Sequence, residues 1–438
     1  MTGGAAVAPV RPVRSLRGTV TAGTTHARLR LLLMALLVVT ALWGGVAAWS
    51  VAGHASAAAN VRAASEPLSL DAQRIYRSLS DADATEAAAF LHGGQETLPL
   101  RRQYQGDIAQ AARELEAATA AAGGSSAGPQ LAILSAALPV YTGLVETART
   151  DNRLGYPLGA AYLREASGLM RATMLPAARA VYAHENAQLA AADQQATALP
   201  YAAFVVAIIA AILLLAAQRW LARRTHRVIN PGLLVASLAG LASLIWLVSA
   251  LTVASVQFSS ARDHGSAPVE ALARADIAAL QAHADESLTL IDRSGDDTNQ
   301  ENFVFLEKHL GPGQGSLLST AETTAAGSAG GKLAAAAAQS ALPWYAVHRK
   351  VRALDDAGSY TAAVGLAIGT GPTQSGGSFT RLDSDLTGAM AANQASFRSA
   401  AQAGQGALGG LEAGVIVLSL IMAAGCTWGI SRRLAEYR

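Results

Sequence analysis

The chain has 438 residues, of which 51% are hydrophobic and only 15% charged, and its net charge is +2. Soluble domains carry about 25% charged residues, so this composition argues against an ordinary soluble globular protein and for a membrane protein. The single cysteine, Cys426, excludes an intrachain disulfide and a cysteine-based zinc site, while abundant alanine and scarce aromatics favour helix over sheet.

In chain order, residues 1–28 form a basic tail that is expected to be disordered. Residues 29–51 are the first apolar run. It exceeds the 7–15 residues of a signal-peptide core, so it reads as a retained anchor rather than a cleaved leader. Residues 52–198 form a long polar segment that reads as four helices. The first ends near Leu91 at HGG, the second covers about Glu96–Ala122 and stops at GGSSAGP, the third covers about Pro129–Thr150, and the fourth runs from about Pro157 into a second apolar run, 199–217. Glycine and proline stand where helices should stop or start, and Leu131, Leu134, Leu138, Tyr141 and Val145 recur at helical spacing. A short loop, 218–232, leads to a third apolar run, 233–256. A second long segment, 257–410, is similar but looser, with GPGQG and GTGPTQSGGS inside it. A fourth run, 411–430, and a short tail, 431–438, complete the chain. Each run has about the 20 residues that a transmembrane helix needs.

Basic residues set the orientation. Arg11, Arg14, Arg17, Arg28 and Arg30 lie at the N-terminus, Arg219, Arg223, Arg224 and Arg227 in the short loop, and Arg432, Arg433 and Arg438 in the tail. These 12 face one acid, Glu436, whereas the two long segments hold 21 basic and 29 acidic residues. The positive-inside rule puts the three short segments in the cytoplasm and both long ones outside.

ALPVY (137–141) is nearly repeated as ALPWY (341–345). At the same offset Asp151 meets Asp355, Asn152 meets Asp356 and Tyr156 meets Tyr360. Upstream, LSDADAT (79–85) faces QAHADES (281–287), with Asp83 over Asp285, and downstream, after a three-residue shift, Asn186 faces Asn393. The expected fold is therefore an all-α membrane protein with four transmembrane helices and two tandem extracytoplasmic four-helix bundles related by internal duplication, the pentapeptides marking corresponding helix starts. In such up-and-down bundles the first and third turns lie farthest from the membrane. That gathers Asp151, Asn152, Tyr156, Asp296, Asp297, Asp355, Asp356 and Tyr360 at the distal tip as candidate partner-binding residues. The same acids also suit ordinary solvated helix ends.

A search for chemistry finds little. His184-Glu185 does not open an HExxH motif, because Gln188 stands where the second histidine belongs. AGSAGGKL (326–333) departs from a phosphate loop at Ala326 and Leu333. No catalytic, cofactor or metal site is expected, nor a nucleic-acid partner, and the chain reads as a non-enzyme. The cytoplasmic pieces, about 50 residues in all, are too short for a kinase or cyclase domain. The spans lack the buried charges of a transport path.

Long outward helical bundles continuous with membrane spans resemble the sensor domains of bacterial chemoreceptors and histidine kinases. Two in tandem without an output domain, with the repeated ALPxY…D[ND]xxxY, resemble the GlnX family of actinobacterial membrane proteins. The resemblance implies sensing of external amino-acid availability through a solute-binding lipoprotein, and an influence on a soluble serine/threonine kinase inside, direct or indirect. Arg219, Arg223, Arg224 and Arg227 are the expected inner contact, besides touching anionic lipid. A structural envelope scaffold is the alternative, and the oligomeric state stays open, a homodimer included.

Overall fold

The structure, a computed structural model, describes residues 25–60, 66–122, 127–197, 201–225, 230–292, 297–311 and 313–435, and among these it contains helices and no strand. The helices are α1 (Thr25–Asn60), α2 (Glu66–Phe90), α3 (Leu98–Ala122), α4 (Gly128–Arg153), α5 (Leu158–Leu169), α6 (Leu175–Thr197), α7 (Tyr201–Thr225), α8 (Pro231–Ala261), α9 (Ala267–Ile291), α10 (Thr298–Leu310), α11 (Leu317–Ala325), α12 (Gly331–Asp356), α13 (Tyr360–Ile368), α14 (Ser375–Leu408) and α15 (Leu411–Ala435). Single π-helical turns join α5 to α6 at Met170–Met174 and α8 to α9 at Arg262–Ser266.

Five helical stretches are long and apolar enough to cross a membrane: Arg28–Gly53, Gly128–Arg153, Tyr201–Arg223, Pro231–Ile291 and Ser375–Arg432. The second, α4, is the one the sequence reading did not count. Its apolar residues Leu131, Leu134, Tyr141 and Val145 belong to a protein core, and it also buries Arg149.

The chain divides into two compact units. The first comprises Met1–Ala52, Leu199–Ser249 and Gly410–Arg438. Its described helices meet through small residues. A Cβ on Gly232 would overlap the backbone of Gly429, and one on Gly425 would press on the Gly232 carbonyl. The two backbones can therefore approach closely, which is how helices associate where lipid removes the hydrophobic drive. Polar side chains add links: Asn230 Nδ2 donates to the Gly429 carbonyl at 2.9 Å, Gln218 Nε2 to Ser237 Oγ at 2.8 Å, and Trp43 Nε1 to Ser243 Oγ at 3.3 Å. Leu31, Leu42, Ile212, Leu238 and Leu420 are exposed on the outside of the helices.

The second unit comprises Gly53–Ala198 and Ala250–Gly409, so both long segments build one body. Each keeps a core of its own. Ile75, Leu79, Tyr104, Leu134, Tyr141, Met170 and Met174 fill the first; Leu272, Leu280, Phe303, Trp344, Leu382 and Leu386 fill the second. Helices α2 and α9 lie against each other between the two cores. Both are buried on every side over long stretches, 78–87 in α2 and 284–291 in α9.

Two expectations need correction, and a third lies outside the described residues. The pentapeptides do not mark helix starts: Pro139 and Pro343 lie inside α4 and α12. A proline there forfeits a ladder hydrogen bond. The helix continues because the buried Tyr141, and Trp344 with Tyr345, pin the following turn into the cores. The second long segment has six helices among the described residues instead of four, since glycine and proline break it at 311–316 and again at 369–374. The junction of α6 with α7, which the sequence reading makes continuous, falls at residues 198–200, outside the described residues.

Gly232→Leu should abolish the α8–α15 contact. The measurement is monodispersity and yield in mild detergent: a sharp loss is expected, and a wild-type profile would show that the glycine contact is dispensable.

Candidate functional site

The turns singled out in the sequence come together at one end of the second unit. Both α4 and α12 end in the same cap. Gly155 has φ +73° and Gly358 φ +75°. The amides of Gly155 and Tyr156 donate to Asn152 and Asp151 carbonyls, and those of Gly358 and Ser359 to Asp355 and Leu354. This is the Schellman pattern, in which glycine takes the left-handed conformation at the helix end. The hydrogen bonds align Asn152 with Asp355 and Asp151 with Leu354, one residue away from the expected pairing of Asp151 with Asp355. Each turn is tied to the helix that opens its segment: Asn152 Nδ2 donates to the Phe90 carbonyl at 2.8 Å, and Tyr360 Oη to the Leu290 carbonyl at 3.2 Å. Leu91 packs into clusters of both segments, and Arg164 reaches Asp292 across them at 3.0 Å.

The acids at this end are less free than their sequence implies. Asp355 and Asp356 both answer Arg352, at 2.7 and 2.8 Å. Asp151 is half-buried and Asp297 exposed, while Asp296 lies outside the described residues. What the turn presents outward is apolar: Leu154, Tyr156 and Leu158 are each more than half exposed. The sequence reading named only the tyrosine, although RLGYPL signals this patch, with three large apolar side chains in a six-residue helix end. In the basic loop, Arg219 and Arg223 are exposed on α7, whereas the Arg224 side chain and Arg227 lie outside the described residues.

The larger surprise lies inside, along α2 and α9. Arg77 on α2 reaches Asp276 on α9 at 2.8 Å, Asp383 on α14 at 2.6 Å and Asp81 at 3.6 Å. Arg171, on the π-helical turn before α6, pairs with Asp285 on α9 and stands 3.8 Å from Asp83 on α2. The two aspartates matched in the repeat thus share one guanidinium. Arg149 on α4 pairs with Glu86 and Glu146 and reaches Glu96 at 3.2 Å. Eight carboxylates surround three guanidiniums. Alanines such as Ala72, Ala82, Ala275 and Ala282, all buried, let the helices approach.

Burial disfavours charge, and one cation cannot neutralise several acids. Burial is accordingly the main cause that pushes Glu86 up to about 8, Asp276 to about 7 and Asp285 to about 6; nearby carboxylates add to it and the arginines oppose it. Asp83 is raised by the same burial, against Arg171 and hydrogen bonds from Ser167 Oγ (2.7 Å) and Tyr141 Oη (3.5 Å). Glu286, inside the second segment, behaves oppositely. Burial would raise it, but bonds from His283 and His348 prevail and hold it at about 2. Ser375 Oγ donates to it at 2.6 Å, His348 Nδ1 lies at 3.0 Å, and Trp344 Nε1 in turn donates to Ser375 at 3.1 Å. Phe303 stacks on His348, and Phe379 on His283. Among the described residues no three metal-binding side chains converge on one point.

The second unit is thus a helical body whose two segments are joined by buried charge, in a chain with several membrane-length apolar helices. Residues 57–194, which contain α2 to α5 and most of α6, match the family model of an actinobacterial sensor domain. No curated protein and no solved structure matches the chain. The match supports an actinobacterial sensor protein with a sensing or signalling role, and the apolar helices are compatible with a membrane location.

A carboxyl whose folded pKa is raised contributes stability that is fully present below its unfolded value, about 4, and is lost as pH rises through the folded value. Glu86, Asp276 and Asp285, raised to about 6 to 8, should therefore lower the melting temperature as pH rises from about 4 to about 8. Glu286 works in a separate window, losing its contribution only as pH falls from about 4.5 toward about 2. Asp276→Asn should flatten this fall; a melting temperature that rises across that range would contradict the assignment.

Proposed function

We propose that the chain is a membrane signalling relay with no catalytic domain of its own. In this reading α1, α7, the first part of α8, and α15 are the four spans. Helix α4 belongs to the outer body, because its Arg149 is buried among carboxylates rather than facing lipid. The two outer segments are duplicated helical bundles: both carry the glycine cap at the third turn and a buried tyrosine in the helix before it. The uneven spread of basic residues supports a cytoplasmic position for both termini.

The relay reports external amino-acid availability, received through a solute-binding lipoprotein docked at the helix ends around Asn152, Tyr156, Asp297, Asp355 and Tyr360. Leu154, Tyr156 and Leu158 serve as its apolar anchor and the nearby acids steer the approach. Inside, the basic α7–α8 loop meets a serine/threonine kinase or a protein that controls it. The observation that carries this reading is the shared Arg171. A partner that displaces one segment's end must alter a charge pair held in common with the other segment.

Topology is tested by cysteine labelling, for which the buried Cys426 is a quiet background. Asn152→Cys and Ser359→Cys should react with an impermeant thiol reagent in intact cells and Thr225→Cys should not; the reverse pattern ends the sensor reading.

Docking is tested with a candidate lipoprotein co-purified from native membranes. Leu154→Asp with Tyr156→Asp should weaken association about tenfold or more, on the order of the 1–2 kcal/mol a contact residue carries. Asp355→Lys with Asp356→Lys should weaken it further at low salt than at high salt, because exposed charges are screened within about 8–10 Å. Glu116→Lys, exposed on α3, should leave it unchanged. Loss with Glu116→Lys alone would move the docking site to the bundle flank.

A further inference from the structure

The second unit has a groove that the docking reading does not use. It measures about 750 Å³ and runs between α6 of the first segment and α9 of the second. That is within the usual size range for small-molecule sites, about 300–1,000 Å³. Tyr76, Arg179 and Tyr182 form one wall; Glu270, Arg274 and Gln281 form the other. A smaller cavity of about 190 Å³ shares Tyr182, Asn186 and Glu270 with it, and Arg262 and Ser266 of the second π-helical turn line its far side. Helical π turns are frequent at functional sites.

The charge of this groove runs against its surroundings. The two long segments carry 29 acidic and 21 basic residues, yet Arg179 and Arg274 line this groove against one carboxylate, Glu270, and Arg262 and Arg398 line the smaller cavity beside it. Arg274 is engaged with Glu270 one turn away. Arg179 is exposed on the wall and makes no ion pair or side-chain hydrogen bond among the described residues. The polar floor, by contrast, is fixed in advance. Tyr76 and Gln281 stand close together, one from each segment, and Tyr182 lies beside Asn186. Ser69 Oγ donates to Asn186 Oδ1 at 2.5 Å.

We propose that this groove binds a small zwitterionic solute directly, its carboxylate on Arg179 and its ammonium group toward Glu270. A fork of guanidinium donors suits a carboxylate. A simple cation would be repelled by the gathered arginines, and a polyanion by Glu270. The hydroxyls and amides of Tyr76, Asn186 and Gln281 line the same groove and suit the rest of a small polar molecule. Because the walls come from different segments, an occupant ties α6 to α9, next to the helix stretch that carries Asp285. The proposal is independent of any docked partner: it gives the outer body a ligand of its own.

The test uses the full chain in detergent or nanodiscs, with glycine, L-alanine, L-glutamate, acetate and inorganic phosphate as probes in calorimetry and thermal melts. At least one zwitterion should bind saturably and raise the melting temperature. Arg179→Gln and Glu270→Gln should each weaken that binding about tenfold or more, as loss of a charge-assisted contact implies, with helicity by circular dichroism unchanged. Tyr156→Asp at the helix-end turn should leave it intact, so that failure of this site and failure of the docking surface are read separately. Should Arg179→Gln reduce helicity, Arg179→Lys replaces it, keeping the charge and losing the fork. No saturable binding by any zwitterion overturns the proposal. So does binding of acetate or phosphate as tight as the best zwitterion, or an affinity that survives both substitutions.

Discussion

Arg171 stands on a helix of the first segment and answers two aspartates, Asp83 in its own segment and Asp285 across the seam. Arg77 does the same with Asp81 on one side and Asp276 and Asp383 on the other. A buried charge left without its partner costs about 3–5 kcal/mol, so neither guanidinium can lose the facing helix cheaply. Asp276 and Asp285 are nine residues apart on α9, roughly 13 Å at 1.5 Å per residue. Two latches at that separation fix both the slide and the twist of α9 against α2. Alanine at the contact keeps the helices close enough for the side chains to span, and Leu288 of α9 clusters with Ala87 of α2 toward one end of it.

The two segments treat a buried acid in opposite ways. Asp83 receives hydroxyl bonds from Ser167 and Tyr141 and half of an arginine, and stays reluctant to ionise. Glu286 receives Ser375 and two histidines, which favour its charged form. Its ring is closed by Phe303, Phe379 and Trp344, which exclude water and hold the histidines in place. The second segment is thus locked around a stable anion, while the first and the seam carry more carboxylates than cations. A sensor needs one firm body to push against and one contact near balance, and this division of buried charge supplies both.

Helices were the legible part of the sequence, because glycine and proline punctuate them and apolar residues recur at a turn's spacing. The membrane-length runs stood out by composition; α4 was read as a bundle helix, although its length and hydropathy match those of a span, since hydropathy averages over side chains without knowing whether lipid or protein meets them. The repeated pentapeptide was legible as a repeat but misleading about position. A mid-helix proline is tolerated only when packing supports it, and that support comes from Tyr141 and Trp344, whose burial no local pattern reveals. Asp83 and Asp285 were matched as equivalents, but their meeting at Arg171 depends on how two segments dock, which lies beyond periodicity. At the helix ends the acids were visible and their partner Arg352 was overlooked, although it sits three and four residues before them at ordinary helical ion-pair spacing. Leu154 and Leu158 were passed over because an exposed leucine is usually unremarked on a surface.

The groove and the seam share α9, and they meet near the π-helical turn that carries Arg171 between α5 and α6. This proximity limits how large a conformational signal must be. Arg171 is in close contact with Asp285 but 3.8 Å from Asp83, whereas a charge-assisted hydrogen bond closes at about 2.7–2.9 Å. A displacement of about 1 Å therefore suffices to shift the guanidinium from one aspartate to the other, and helix shifts of about 1–2 Å are the ordinary currency of signalling at packed interfaces. The released aspartate, buried and deprived of its counter-charge, would take up a proton instead of remaining an unpaired anion. Movement of α6 against α9 and proton uptake in the seam are then one event, and a ligand that favours either arrangement biases both.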